Sequence, residues 1–240
     1  TGVQTCALPI CGKMDFGHSE EGVVQANFRA PDLTFYIWIG DNFKEILPQY
    51  LDLTGYPYNP PEWTFLPHKW RDETTWEGVW EDVNMMEEHD MPLGVVWLDR
   101  PWAQGSYGSD DFIFDDDRYP NPVVNINRLH EKGIRILVWG CDFVRDESRY
   151  VEEGLEKGYF VGGFGTYNEG EKDRHLLDLA NPEAREWFKG MIKNAFDKGV
   201  DGIKLDRGQR YPINVTPPSG RDPRAMHNYH AKLLVQTYAE

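Results

Sequence analysis

Cysteine is scarce, with only Cys6, Cys11 and Cys141 in 240 residues. Their spacing fits no zinc or redox motif, and an odd count argues against a disulfide framework. Basic charge is also short: 25 Lys and Arg face 40 Asp and Glu, a net charge of −15. Without a run of Lys or Arg, phosphate backbones and anionic membrane surfaces are poor partners, so neither nucleic acid nor membrane is expected. No apolar stretch reaches the length of a membrane-spanning helix, and no charged region followed by an apolar one opens the chain as a signal peptide does. Glycine-rich phosphate loops are missing after every candidate strand, which weighs against a nucleotide-binding open sheet. Neutral ligands remain open.

What the chain has in surplus is aromatic side chains, 14% of residues with 9 Trp. Flat rings cover the apolar faces of sugars well, although core packing is the ordinary fate of a single Trp. The first ten residues, TGVQTCALPI (Thr1–Ile10), resemble the conceptual translation of a sequencing adapter and are set apart from fold reasoning. On that reading the native N-terminus, with any export signal, is not in this sequence, and localisation is unassigned.

Residues 11–60 read as the end of one unit. Leu33–Ile39 (LTFYIWI) has the aromatic and β-branched composition of a strand. Asn42–Leu53 has helical spacing, with Pro48 predicting a kink or break. Asn59-Pro60-Pro61 then makes an extended hinge.

From residue 61 to 240 strands and helices alternate. Glu62–Leu66 is the candidate first strand, and Trp76–His89 a helix. Leu93–Leu98 (LGVVWL) is a nearly continuous apolar run, as a parallel strand covered on both faces should be. Pro122–Lys132 reads as a helix ended by Gly133, and Ile134–Trp139 (IRILVW) as the next strand. Asn181-Pro182 opens a helix through Lys198, Gly202–Leu205 is a fourth strand, and Ala225 onward is helical. Repeated βα units define an α/β architecture, barrel or open sheet. Asp99, Asp142 and Asp206 each follow a strand, where barrel enzymes build their sites. The Cys141–Ala180 connection is long enough to be functional.

In DGIKLDRGQRYP (Asp201–Pro212), alternation places Lys204 and Asp206 on one face. A lysine beside a carboxylate keeps it ionised, as a nucleophile requires, and the same pair reads equally as a structural salt bridge. In VVWLDRPW, Val95, Trp97 and Asp99 share a face; Asp99 suits two sugar hydroxyls, or equally the cap of the next segment.

Taken in order, these segments resemble glycoside hydrolase family 31, which includes α-glucosidases and α-xylosidases. The resemblance runs from Leu33 to the end, through LTFYIWIGDNFKEILPQYLDLTG, PPEWTFLPHKW, VVWLDRPW, FIFDDDRYPNP, LHEKGIRILVW, LDLANPEAREWF and KGVDGIKLDRGQRYP. It implies a partial TIM (β/α)8 barrel, about strands 1–4, preceded by the end of a β-sandwich domain. It implies that Asp206 is the catalytic nucleophile and that Asp99 binds hydroxyls of the sugar being cleaved. Lys204 stands where a Trp is common in the family and where the α-xylosidase-like members have Lys. Trp102 and Trp139 are candidates for ring-stacking on the sugar, or for the core. No metal or organic cofactor is implied, and Asp115–Asp117 reads as a solvated loop because it lacks the glycine and distal Glu of a calcium loop.

Three departures stand out. Gln209 replaces the usual Glu after the nucleophile, and the segment before Asp178 lacks a usual Trp. Retaining hydrolysis also needs a second carboxyl group roughly 5–5.5 Å from the first, which the family carries on a later strand than these. The reading is therefore a fragment of an exo-acting α-glycosidase, inactive alone, whose partner is an α-glycoside and whose longer form is free to oligomerise. The rivals are a clan-related α-galactosidase, which shares Lys-x-Asp on strand 4, and a barrel that only binds glycans.

Overall fold

The computed structural model describes residues 12–28, 34–105, 108, 111–162, 174–208 and 211–240. These fall into two units, Thr1–Pro61 and Glu62–Glu240.

In the first unit, β1 (Gly12–Phe16) and β2 (Val24–Phe28) form an antiparallel ribbon in which Gly12 faces Phe28 and Phe16 faces Val24. Helix α1 (Phe43–Thr54) begins where the Asn42 side chain accepts from the Lys44 amide, and ends at Gly55, whose φ of 90° suits a residue without Cβ. Pro48 sits within this helix and does not end it. The strand expected at Leu33–Ile39 is not formed: the described part, from Thr34, has no regular structure. Its aromatics stack on one another and on α1 instead, with Trp38 edge-on to Tyr50 at 5.4 Å.

The second unit opens on a 3-10 turn, Glu62–Phe65, where the sequence suggested a strand. The first strand, β3 (His68–Arg71), lies just beyond it. Then follow α2 (Trp76–Glu88), β4 (Val95–Leu98), α3 (Pro122–Glu131) and β5 (Arg135–Gly140). A short antiparallel ribbon, β6 (Phe143–Arg145) with β7 (Arg174–Leu176), and helix α4 (Val151–Glu156) occupy the long connection. The order resumes with α5 (Pro182–Phe196), β8 (Gly202–Leu205) and α6 (Pro223–Ala239).

Strands β3, β4, β5 and β8 form one parallel sheet in chain order, the βα progression of a barrel wall. Alternation divides its residues between two faces. Val96, Leu98, Ile136 and Val138 join Val79 and Val83 of α2, Ile126 and Leu129 of α3, and Phe188, Met191 and Ile192 of α5 in the core. Each such fully buried aliphatic side chain contributes about 2 kcal/mol of transfer free energy. Lys69 and Arg71 of β3 share this helix-facing side and pair with Asp82 of α2, which is itself buried. The opposite face carries Trp70 and Trp97 in register with Leu137 and Gly202, and one step further on Trp139 beside Lys204. That second level leads to the carboxyl ends of the strands. Among the described residues no helix is long and apolar enough to cross a membrane.

Candidate active site

Asp206 follows β8 immediately, and its amide donates to Gly140 O at 3.0 Å, extending the β5–β8 ladder by one bond. Its carboxylate receives three donors. The Arg207 amide reaches Oδ1 at 2.8 Å, while Trp139 Nε1 and Lys204 Nζ reach Oδ2 at 3.0 and 3.2 Å. Burial disfavours the charged form, yet these hydrogen bonds and the Lys204 charge outweigh it, and the carboxyl titrates below its ordinary range. About a third of the side chain stays open, 36%. Asp206 is thus an ionised carboxylate aimed by fixed donors and accessible from solvent.

The local backbone explains the aim. Arg207 and Gly208 both have positive φ, 72° and 85°, so the chain turns sharply after Asp206 and presents the Arg207 amide to the carboxylate it has just left. A non-glycine residue with positive φ is uncommon and costs about 1 kcal/mol or more. At position 208 a Cβ would come within 2.6 Å of the Leu234 side chain on α6, so glycine is required there twice over.

Asp99 ends β4. Its Oδ1 accepts from the Arg100 amide and its Oδ2 from Trp70 Nε1, both at 2.9 Å, and only 7% of the residue is exposed. Lys204 connects the two aspartates: Nζ lies 3.6 Å from Asp99 Oδ2 and 3.2 Å from Asp206 Oδ2. The same ammonium sits 5.2 Å from the Trp97 ring centroid and 5.9 Å from that of Trp139. The structure therefore brings Asp99, Lys204, Trp139 and Asp206 into one cluster.

Stacking on a sugar does not match the burial of either predicted ring. Trp102 has no exposed surface, packs against Phe112 and Phe114, and donates from Nε1 to Trp139 O at 2.8 Å. Trp139, 1% exposed, offers its ring edge to Asp206. Trp139 backs the carboxylate directly, and Trp102 braces the Trp139 backbone. Alternation locates an inward ring but does not tell whether it meets ligand or a neighbouring side chain.

Trp70 is the residue the sequence reading missed. It is 46% exposed on the inner face, lies 5.8 Å from Trp97 between ring centroids, and orients Asp99. Its signal was the alternation in HKWR, obscured by flanking charges.

The remaining candidates resolve as follows. Asp115 accepts the amides of Asp117 and Arg118 in a turn, with Asp116 and Asp117 exposed. Among the described residues no group of three or more His, Cys, Asp or Glu is placed to hold a metal ion. Asp178 is buried and accepts from the amide and hydroxyl of Ser219 at 2.8 and 3.0 Å, which makes it a tie between loops. Asp142, next after Cys141 on β5's trailing end, pairs with His230 of α6 at 3.0 Å, both fully buried. Cys141 is buried, whereas Cys6, Cys11 and Gln209 lie outside the described residues.

A parallel βα wall with donor-held carboxylates at the carboxyl ends of its strands is the arrangement on which barrel enzymes build their sites. Comparison with known proteins gives the family. Residues 57–240 match the family model described as the glycosyl hydrolases family 31 TIM-barrel domain, and the chain belongs to that family. It is 31% identical over 218 residues to an α-xylosidase of Emericella nidulans, covering 88% of this chain and 28% of that protein. It is 29% identical over 224 residues to the α-xylosidase XylQ of Lactiplantibacillus pentosus, covering 90% of this chain and 29% of that protein. The chain thus spans under a third of the length of these relatives. Among solved structures, a family 31 dextranase of Flavobacterium johnsoniae complexed with glucose shares the fold with a TM-score of 0.79 at 22% identity, over 95% of this chain and 29% of that one.

Proposed function

We propose that these residues form the front part of the catalytic barrel of a longer, retaining α-glycoside hydrolase, following the end of its N-terminal β-sandwich domain, with Asp206 as nucleophile. The observation that carries the reading is the state of Asp206: ionised, fixed by Trp139, Lys204 and the Arg207 amide, and open on one side. A complete barrel takes eight strands, and four parallel ones stand among the described residues here. The short coverage of both relatives agrees with this.

In the proposed reaction an Asp206 oxygen bonds to the anomeric carbon as the glycosidic C–O bond breaks. The departing oxygen takes a proton from a second carboxylic acid, which resemblance to the family places on a later strand. Water, deprotonated by that same group, then displaces Asp206 and releases the sugar with its α configuration. Asp99 accepts sugar hydroxyls, and Lys204, placed between the two aspartates, helps hold Asp206 ionised. The substrate class is an α-xyloside or α-glucoside; the xyloside is favoured because both relatives quoted are named α-xylosidases, and the family resemblance implies that Lys204 stands where the α-xylosidase-like members have Lys.

The test is chemical rescue in the complete enzyme. Asp206→Ala should lower hydrolysis of an activated α-xyloside by about four orders of magnitude. Azide should restore turnover and give the β-glycosyl azide, because one displacement inverts the centre. An α-glycosyl azide, or activity that survives Asp206→Ala, would contradict the assignment.

A further inference from the structure

Asp72 follows β3 as Asp99 follows β4, and the two strands run parallel with Arg71 opposite Leu98. One step further along this register brings Asp72 beside Asp99 and on the same face. Two backbone bonds lock the step: the Asp99 amide donates to Arg71 O, and the Glu73 amide to Arg100 O, both at 3.3 Å. Glu73, at φ 46°, then turns the chain away, so Asp72 is the last residue of β3's inner row. The register therefore sets its carboxylate beside that of Asp99. Partial desolvation beside its neighbours and the adjacent Asp99 charge push Asp72 above the ordinary carboxylate range, against the smaller pull of Arg100.

The two groups differ in how they are held. Asp99 is buried and supplied by Trp70 and the Arg100 amide, whereas Asp72 is exposed at the rim. Ionised carboxylates set side by side are both acceptors, so the pair is best met by donated hydrogen, either a shared proton or hydroxyls from outside. Neighbouring hydroxyls on a pyranose supply one O–H to each carboxylate and keep both charged. Lys204 already neutralises part of the cluster from the Asp206 side, so a neutral diol fits better than a second cation.

We propose that Asp72 is a specificity-determining residue of this site, which with Asp99 receives two adjacent hydroxyls of the sugar that occupies it. This rests on the reading of the Asp99–Asp206 rim as the sugar-binding end of a glycosidase barrel. Asp72 then discriminates among sugars by the position and configuration of that hydroxyl pair.

The experiment measures kcat/KM of the complete enzyme and its Asp72→Ala and Asp72→Asn variants on the preferred α-glycoside and its monodeoxy analogues. A lost hydrogen bond to a charged acceptor corresponds to about ten- to hundredfold. For one analogue the wild-type loss should match the Asp72→Ala loss on the parent sugar, and the two together should fall well short of their product. Asp72→Asn, which keeps one acceptor oxygen, should retain part of the discrimination. Losses that multiply for every analogue, or an Asp72→Ala enzyme as active as wild type on all of them, would overturn the proposal. Labelling with a 5-fluoro α-glycosyl fluoride separates the two levels. Continued labelling of Asp206 in an Asp72→Ala enzyme with multiplicative losses removes the Asp72 role alone. No labelling of Asp206 in the wild type removes the underlying reading, and this proposal with it.

Discussion

Trp139→Phe isolates one hydrogen bond at the centre of the site. Phenylalanine keeps the six-membered ring in the packed interior and deletes the Nε1–H that reaches Asp206 Oδ2 at 3.0 Å. A hydrogen bond to a charged acceptor contributes about 1.5–3 kcal/mol. The carboxylate keeps its other two donors, Lys204 and the Arg207 amide, so the lower end applies. About 1.5 kcal/mol corresponds to roughly a tenfold change in the balance between ionised and protonated carboxyl, about one pH unit in the acidic limb. The sign follows from the titration. The carboxyl sits below its ordinary range, so the reactive anion is fully present at neutral pH and is lost only as pH falls through that lowered value. Removing a donor that stabilises the anion moves the acidic limb of kcat/KM upward, and the loss is greatest on the acid side. The assay is the pH profile of kcat/KM for the complete enzyme and the variant on one α-glycoside. A uniform loss with an unmoved acidic limb would show that Trp139 acts through packing alone, and no loss at all would refute the geometry.

Three further outcomes follow from the same contacts. Lys204→Met removes the cation shared by Asp99 and Asp206; the acidic limb should again move upward in the pH profile of kcat/KM. Asp201→Ala strips the acceptor of the Ile136 amide at 2.9 Å and of His130 and Arg135, costing about 2–3 kcal/mol and several degrees of thermal midpoint, with Asp201→Asn restoring part. Asp142→Ala leaves the fully buried His230 without its carboxylate, costing about 1–3 kcal/mol by urea unfolding, while Asp142→Asn recovers most of it. A loss below about 0.5 kcal/mol in either alanine variant, the level of an ordinary surface substitution, would contradict these assignments.

Strands β4 and β5 were legible because they announce themselves as apolar runs, and β8 because the short GIKL segment follows the Gly199 that ends the preceding helical pattern. Strand β3 was not. Its helix-facing residues are Lys69 and Arg71, whose charges are answered by the buried Asp82 of α2, 3.5 and 2.7 Å away. A polar residue on a strand ordinarily marks the solvent side, and here an ion pair replaces that meaning. Mislocating β3 hid both Trp70, which orients Asp99, and the adjacency of Asp72 to Asp99. The strand expected at Leu33–Ile39 failed for the opposite reason: its aromatics suit a strand, but they are satisfied by ring contacts with one another and with Tyr50 of α1. Lys204 and Asp206 were readable from period-two alternation alone. The third partner, Trp139, required the β5–β8 register, which sets it opposite Lys204 and which sequence spacing does not provide.

The nucleophile assignment is tested most directly by trapping it. The complete enzyme is treated with 5-fluoro α-xylosyl and α-glucosyl fluorides; each reagent carries its own leaving group, fluoride, so labelling depends little on the proton donor. The account predicts a covalent glycosyl adduct, mapped by peptide mass spectrometry to Asp206 and absent from Asp206→Asn. An adduct on another carboxylate, or a folded enzyme that hydrolyses α-glycosides yet traps none of these sugars on Asp206, would contradict it.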